Sequence, residues 1–158
     1  MEPANHAAGK ADGGRFDDVI AAILLMATAS AHAPAPASAP AMAVIDEKDT
    51  VREEAPPHGA IGMSTAYRIS DAAPAPRAME FRRRVLHKGA AIGEHPIAHD
   101  EVYYVLSGEG EVVSDGKRAA LRPGMTAYLY NGAVVGIWQK GEEPLSLIIS
   151  YPNPPAAK

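Results

Sequence analysis

After residue 76 the chain is cut at close intervals by turn residues into short apolar runs, and this spacing most restricts what it can fold into. The runs fall at about 79–86, 90–95, 101–106, 109–114, 117–121, 126–129, 133–139 and 145–151. Ser107-Gly108-Glu109-Gly110 and Ser114-Asp115-Gly116-Lys117 carry the glycines that tight hairpins require, and Arg122-Pro123-Gly124 puts Pro before Gly in the order of a type II turn. No window sustains the 3.6-residue spacing of an amphipathic helix. Short strands joined by short turns predict an all-β fold of two antiparallel layers, a jelly roll closed on itself, because closure removes exposed sheet edges.

Upstream the composition is different. Residues 19–31 are an uncharged run, too short to span a membrane and of the length of a signal-peptide apolar region. Ala29-Ser30-Ala31 meets the small-x-small pattern, so cleavage after Ala31 and a periplasmic or secreted location are expected. Asp17 and Asp18 abut the run where positive charge is usual, which keeps a disordered leader open for residues 1–31. Residues 34–43 are Ala, Pro and Ser with one Met and cannot bury a core. Residues 32–76 therefore read as a Pro/Ala-rich linker and extended arm, with charged surface material at 46–54, a Pro56-Pro57-His58-Gly59 turn and a short strand at 64–69. Such an arm would suit a crossing to a second subunit, and a homodimer is expected. The barrel is expected at 77–152 and a tail at 153–158.

Composition narrows the function classes. A net charge of -4, from 15 basic and 19 acidic residues, offers no nucleic-acid footprint. With no cysteine there can be no disulfide, thiolate metal site or thiol nucleophile. No membrane insertion is expected. The single basic run, Arg82-Arg83-Arg84, alternates faces in a strand, which fits a solvated edge with one arginine turned inward or, less readily, a binding cluster.

The chemistry gathers between residues 95 and 108. If the strand ran straight, His95, Ile97, His99 and Glu101 would share one face, and two imidazoles with a carboxylate suit a divalent metal. Residues 79–152 resemble the cupins, small jelly-roll barrels, with a type 2-like single-domain pattern. Gly89, His95, Glu101 and Gly108 match the first cupin motif; Gly116, Pro123, Gly124 and Asn131-Gly132 match the looser second one. The resemblance implies a metal in the barrel mouth held by two histidines and a glutamate of the first motif and one histidine of the second. Here Ile97 and Val135 stand at two of those positions, and neither can coordinate; Gln139 stands where the family often has Asn.

His99 would restore an imidazole, making a His95, His99 and Glu101 set sufficient for Zn, Mn, Fe or Ni. The alternative is a metal-free barrel in which both histidines cap the mouth and a buried Glu101, hydrogen-bonded to a histidine or tyrosine, has a raised pKa. Candidate ligand contacts are Glu101, Tyr103, Tyr128 and Gln139, while Trp138 has the parity of the outer face. Gly89 and Gly93 predict a bulge or a close backbone approach. Two functions follow: an exported binding module for a small polar molecule, or a metal-dependent isomerase, lyase or oxygenase using His95, His99 and Glu101. An interaction role through a homodimer is compatible with either.

Overall fold

The computed structural model describes residues 40–59 and 61–154. Ten strands form two antiparallel sheets: β1 (Val51–Glu54), β2 (Ser64–Tyr67), β3 (Met79–Leu86), β4 (Ala91–Pro96), β5 (Glu101–Ser107), β6 (Glu109–Ser114), β7 (Lys117–Leu121), β8 (Thr126–Leu129), β9 (Val134–Lys140) and β10 (Leu145–Pro152). The large sheet has the order β1-β2-β3-β10-β5-β8 and the small one β4-β9-β6-β7. The eight runs read in the sequence are β3 to β10, their ends within about one residue of expectation. Among the described residues the only helical elements are short 3-10 turns at Glu47–Thr50 and Ile69–Ala72. None of them is long and apolar enough to cross a membrane.

Local chemistry explains the turns. Asp115 and Gly116 both take positive φ, 47° and 75°, the pair that a two-residue hairpin between β6 and β7 needs for its twist to match the strands. Gly108 turns β5 into β6 with φ 76°, and a Cβ there would meet the Pro144 carbonyl oxygen at 2.2 Å. Between the sheets Leu86, Val105, Val135, Ile137, Leu145 and Leu147 are fully buried. Ile97 and Val135, which stand at family ligand positions, belong to this apolar cluster.

The segment read as a surface arm is different in one respect. From Val51 it joins the barrel's own large sheet: β1 pairs with β2 (Glu54↔Ser64), and β2 with β3 (Tyr67↔Arg83). The reason is the alternation Ser64, Thr65, Ala66, Tyr67, which buries Ser64 and Ala66 and leaves the other two partly open, as a sheet strand requires. β3 is consequently an interior strand, and the solvated-edge reading of its arginines does not hold. Arg82 and Arg84 both turn inward, while Arg83 faces the other way, over the Tyr67 ring and paired with Glu47. The expected signal segment and most of the Pro/Ala linker, residues 1–39, lie outside the described residues, as does the end of the tail, 155–158.

Candidate functional site

A cavity of about 320 Å³ opens between the sheets at the end where β4 gives way to β5. Its large-sheet wall comes from β3, β10 and β5: Arg82 and Arg84, Ile149 and Tyr151, Tyr103 and Glu101. Opposite stand Ile92 and His95 of β4, with Ile97, Ala98 and His99 from the following loop and Pro57 and His58 from the β1–β2 connection.

The β4 wall depends on a glycine. The register of β4 against β9 shifts between Ile92 and His95, a bulge at the position where the sequence predicts one. At Gly93 a Cβ would lie 1.8 Å from the His58 carbonyl oxygen, so only glycine lets the 56–59 turn approach this closely. The turn carries His58 at φ 59° and lays its ring on His95, with centroids 3.6 Å apart and planes 9° from parallel. Burial and the neighbouring His95 lower the His58 pKa, which favours the neutral form of the His58 ring. His95 Nδ1 lies 2.9 Å from the Gly93 carbonyl oxygen; a carbonyl only accepts, so Nδ1 carries a proton and Nε2 is not engaged by this bond.

Glu101 begins β5 and is 5% exposed. Burial pushes its pKa up to about 7, against the opposing effect of a hydrogen bond with Tyr103. Tyr103 is itself fully buried, and that burial, with Glu101 beside it, keeps the phenol protonated. His99 Nε2 stands 3.8 Å from Glu101 Oε2, and its ring stacks on Tyr151 at 4.5 Å. The pair Glu101 and Tyr103 thus offers a carboxyl that exchanges a proton near neutral pH next to a phenol that donates one.

The straight-strand expectation fails because β4 ends at Pro96 and β5 starts at Glu101 in the other sheet. His95 and Glu101 therefore face each other across the barrel, and His99 comes from the loop between them. Among the described residues no three His, Cys, Asp or Glu side chains are gathered closely enough to hold a metal ion. The His95, His99 and Glu101 side chains are thus not gathered into a metal centre as they stand.

Two further candidates lie elsewhere. Tyr128 is 52% exposed on β8, its hydroxyl donating to Asp100 Oδ2 at 2.7 Å. Gln139 is buried but outside the cavity lining: its Oε1 accepts from Gly89 N, and its Nε2 donates to the carbonyls of Lys140, Gly141 and Glu143, bracing the turn into β10. Trp138 lies outward under Arg118 on the small sheet, as its parity predicts.

Sequence reasoning missed Arg82, Arg84, His58 and Tyr151. A signal for the arginines was present, because Glu80, Arg82, Arg84 and the buried Leu86 share one parity on β3. None existed for His58, whose place is set by the approach to Gly93.

Residues 82–151 match the family model described as "Cupin domain". Among solved structures, a protein described as a predicted oxalate decarboxylase from Thermotoga maritima is similar at 23% identity and TM-score 0.62, over 70% of this chain and 98% of that one. The polyketide cyclase RemF from Streptomyces resistomycificus is similar at 16% identity and TM-score 0.61, over 70% and 79% of the two chains. An RmlC-like cupin from Shewanella frigidimarina is similar at 17% identity and TM-score 0.56, over 73% and 95%. At these identities the likeness is one of fold. No curated protein matches the sequence. Residues 82–151 thus carry a cupin domain, and the solved structures it resembles share its fold.

Proposed function

We propose that this protein binds a small polar molecule in the cavity between its sheets. The observation that carries this reading is the lining itself: two arginines, three histidines and a buried glutamate converge where a jelly roll otherwise packs aliphatic side chains. Burying such groups costs stability relative to an apolar filling, so a barrel shaped only for stability would not keep them. The cavity is at the small end of ligand pockets, which suits a molecule of sugar or organic-acid size.

Thermal-shift and ligand-observed NMR screening of the full-length chain against sugars and organic acids tests the reading. Ligands are expected that the folded Ile149→Trp variant, with the cavity floor filled, no longer takes up. A library without such a ligand overturns it.

A metal-dependent isomerase, lyase or oxygenase is the second reading, favoured only by the His99 and Glu101 contact at 3.8 Å. It requires His95, His99 and Glu101 to draw together around one ion. Stoichiometric uptake of Zn, Mn, Fe or Ni by tag-free protein, lost in His99→Ala, would support it; no uptake removes it. Export is proposed from the 19–31 run. A mature protein beginning at Met1 would end that proposal.

A further inference from the structure

The two inward arginines of β3 differ in what they have left to give. Arg84 is 5% exposed and held from two sides, Nη1 donating to Ser64 Oγ at 2.7 Å and Nη2 to Glu54 Oε1 at 2.9 Å. It contributes a fixed positive charge. Arg82 donates Nε to Glu80 Oε2 at 2.9 Å and turns Nη2 to within 3.5 Å of Asp71 Oδ1, but its Nη1 takes no partner among the described residues. A guanidinium fixed at one edge and unspent at the other, in a partly desolvated cavity, is the donor geometry that receives a carboxylate.

The far side of the cavity is of another kind. Arg82, Ile149 and Tyr103 lie in one row across β3, β10 and β5. Two strand spacings, about 10 Å, thus separate the Arg82 and Tyr103 backbones from which the guanidinium and the phenol extend. Between them the surface is the Ile149 side chain, with Ile92 on the opposite wall. A molecule meeting all three features has an oxyanion at one end, a compact apolar middle and a neutral hydroxyl or carbonyl at the other. A neutral sugar would leave the free edge of Arg82 without an anionic partner.

We infer that the ligand is a small organic acid bearing a second, uncharged polar group, its carboxylate received by Arg82 and its polar end facing Tyr103 and Glu101. This inference rests on the cavity-binding reading and specifies its ligand. Asp71 and Glu80 are positioning residues: they hold the Nε and Nη2 edge of Arg82, so that Nη1 is the edge presented.

Calorimetric titration of the full-length chain with two matched pairs tests it: 4-hydroxybenzoate against 4-hydroxybenzyl alcohol, and glucuronate against glucose. The acid of at least one pair is expected to bind about 10-fold tighter than its alcohol, the scale of one charge-assisted hydrogen bond. Arg82→Gln is expected to remove that preference and Arg82→Lys to keep part of it, whereas Tyr103→Phe weakens acid and alcohol alike. Far-UV circular dichroism confirms the fold of each variant; if Arg82→Gln does not fold, the comparison is made with Arg82→Lys. Alcohols binding as tightly as acids, or an acid preference unchanged by the folded Arg82 variants, would overturn the inference while cavity binding stands. The inference also falls if all four probes fail and the library yields only neutral ligands. Cavity binding itself falls only if no library compound is lost from Ile149→Trp.

Discussion

A single carboxyl, Glu101, links burial to function at the scale of one residue. Its pKa stands at about 7 in the folded protein against an ordinary value of 4.5, because burial disfavours the charged form. The folded state therefore holds the proton more tightly than the unfolded chain. That contribution to stability is complete below about pH 4.5 and is lost as pH rises through about 7. The span corresponds to on the order of 3 kcal/mol. Urea unfolding of wild type and Glu101→Gln across pH 4.5 to 8 is the check: wild type should lose stability relative to the variant by that order, and a constant difference would show that Glu101 does not titrate there. Much of this residue was legible in the sequence, since the parity of β5 puts Glu101 and Tyr103 on one inward face. Its partner across the barrel was not. The straight reading from His95 to Glu101 missed the sheet crossing at residues 97–100, which no periodicity of one strand can reveal.

The elements around the cavity show how backbone contacts set side-chain positions. Gly93→Ala would place a methyl group against the His58 carbonyl, where the available distance is 1.8 Å. The 56–59 turn must then retreat, at a cost of about 1–3 kcal/mol, and the His58 and His95 rings separate. Urea unfolding reads the first effect and histidine NMR shifts the second. β1 has a related role, because Glu54 neutralises the buried Arg84 from outside the residues that match the family model. Glu54→Ala leaves that guanidinium without its carboxylate and is expected to destabilise the barrel by about 3 kcal/mol, whereas the double variant Glu54→Leu with Arg84→Met should recover most of the loss. Chemical denaturation of the three proteins decides it: equal stabilities for Glu54→Ala and wild type would remove β1 from the account. The sequence marks β2 as a strand, but the charged run before it carries no period, and β1 is visible only through its pairing with β2.

At the scale of the whole molecule the barrel holds two unlike regions. An aliphatic cluster including Ile137, Leu145 and Leu147 fills one end, while charged and imidazole groups line the other, where β4 gives way to β5. The first supports the second, since buried ionisable groups are tolerated when enough apolar area elsewhere offsets their cost. Removing that cost should show in stability. A protein carrying Glu54→Leu, Arg84→Met and Glu101→Gln together is expected to unfold at a temperature equal to or above that of wild type, and to take up organic acids more weakly through Arg82 alone. Calorimetric unfolding and ligand titration measure the two properties on one sample; unchanged uptake would remove Arg84 and Glu101 from the binding account.

The sequence alone determined the strand pattern and the turns, because these depend on local rules: alternation along a strand, positive φ at Asp115 and Gly116, and a bulge at Gly93. It also marked the neighbourhood of the site through His95, His99 and Glu101. Only the tertiary structure decided which groups meet. Pairing of β2 with β3 turned a presumed edge into an interior strand and aimed Arg82 and Arg84 inward, and the crossing after Pro96 set His95 and Glu101 on opposite walls. Both outcomes depend on contacts between residues far apart in the chain, and the spacing of side chains within one segment carries no information about them.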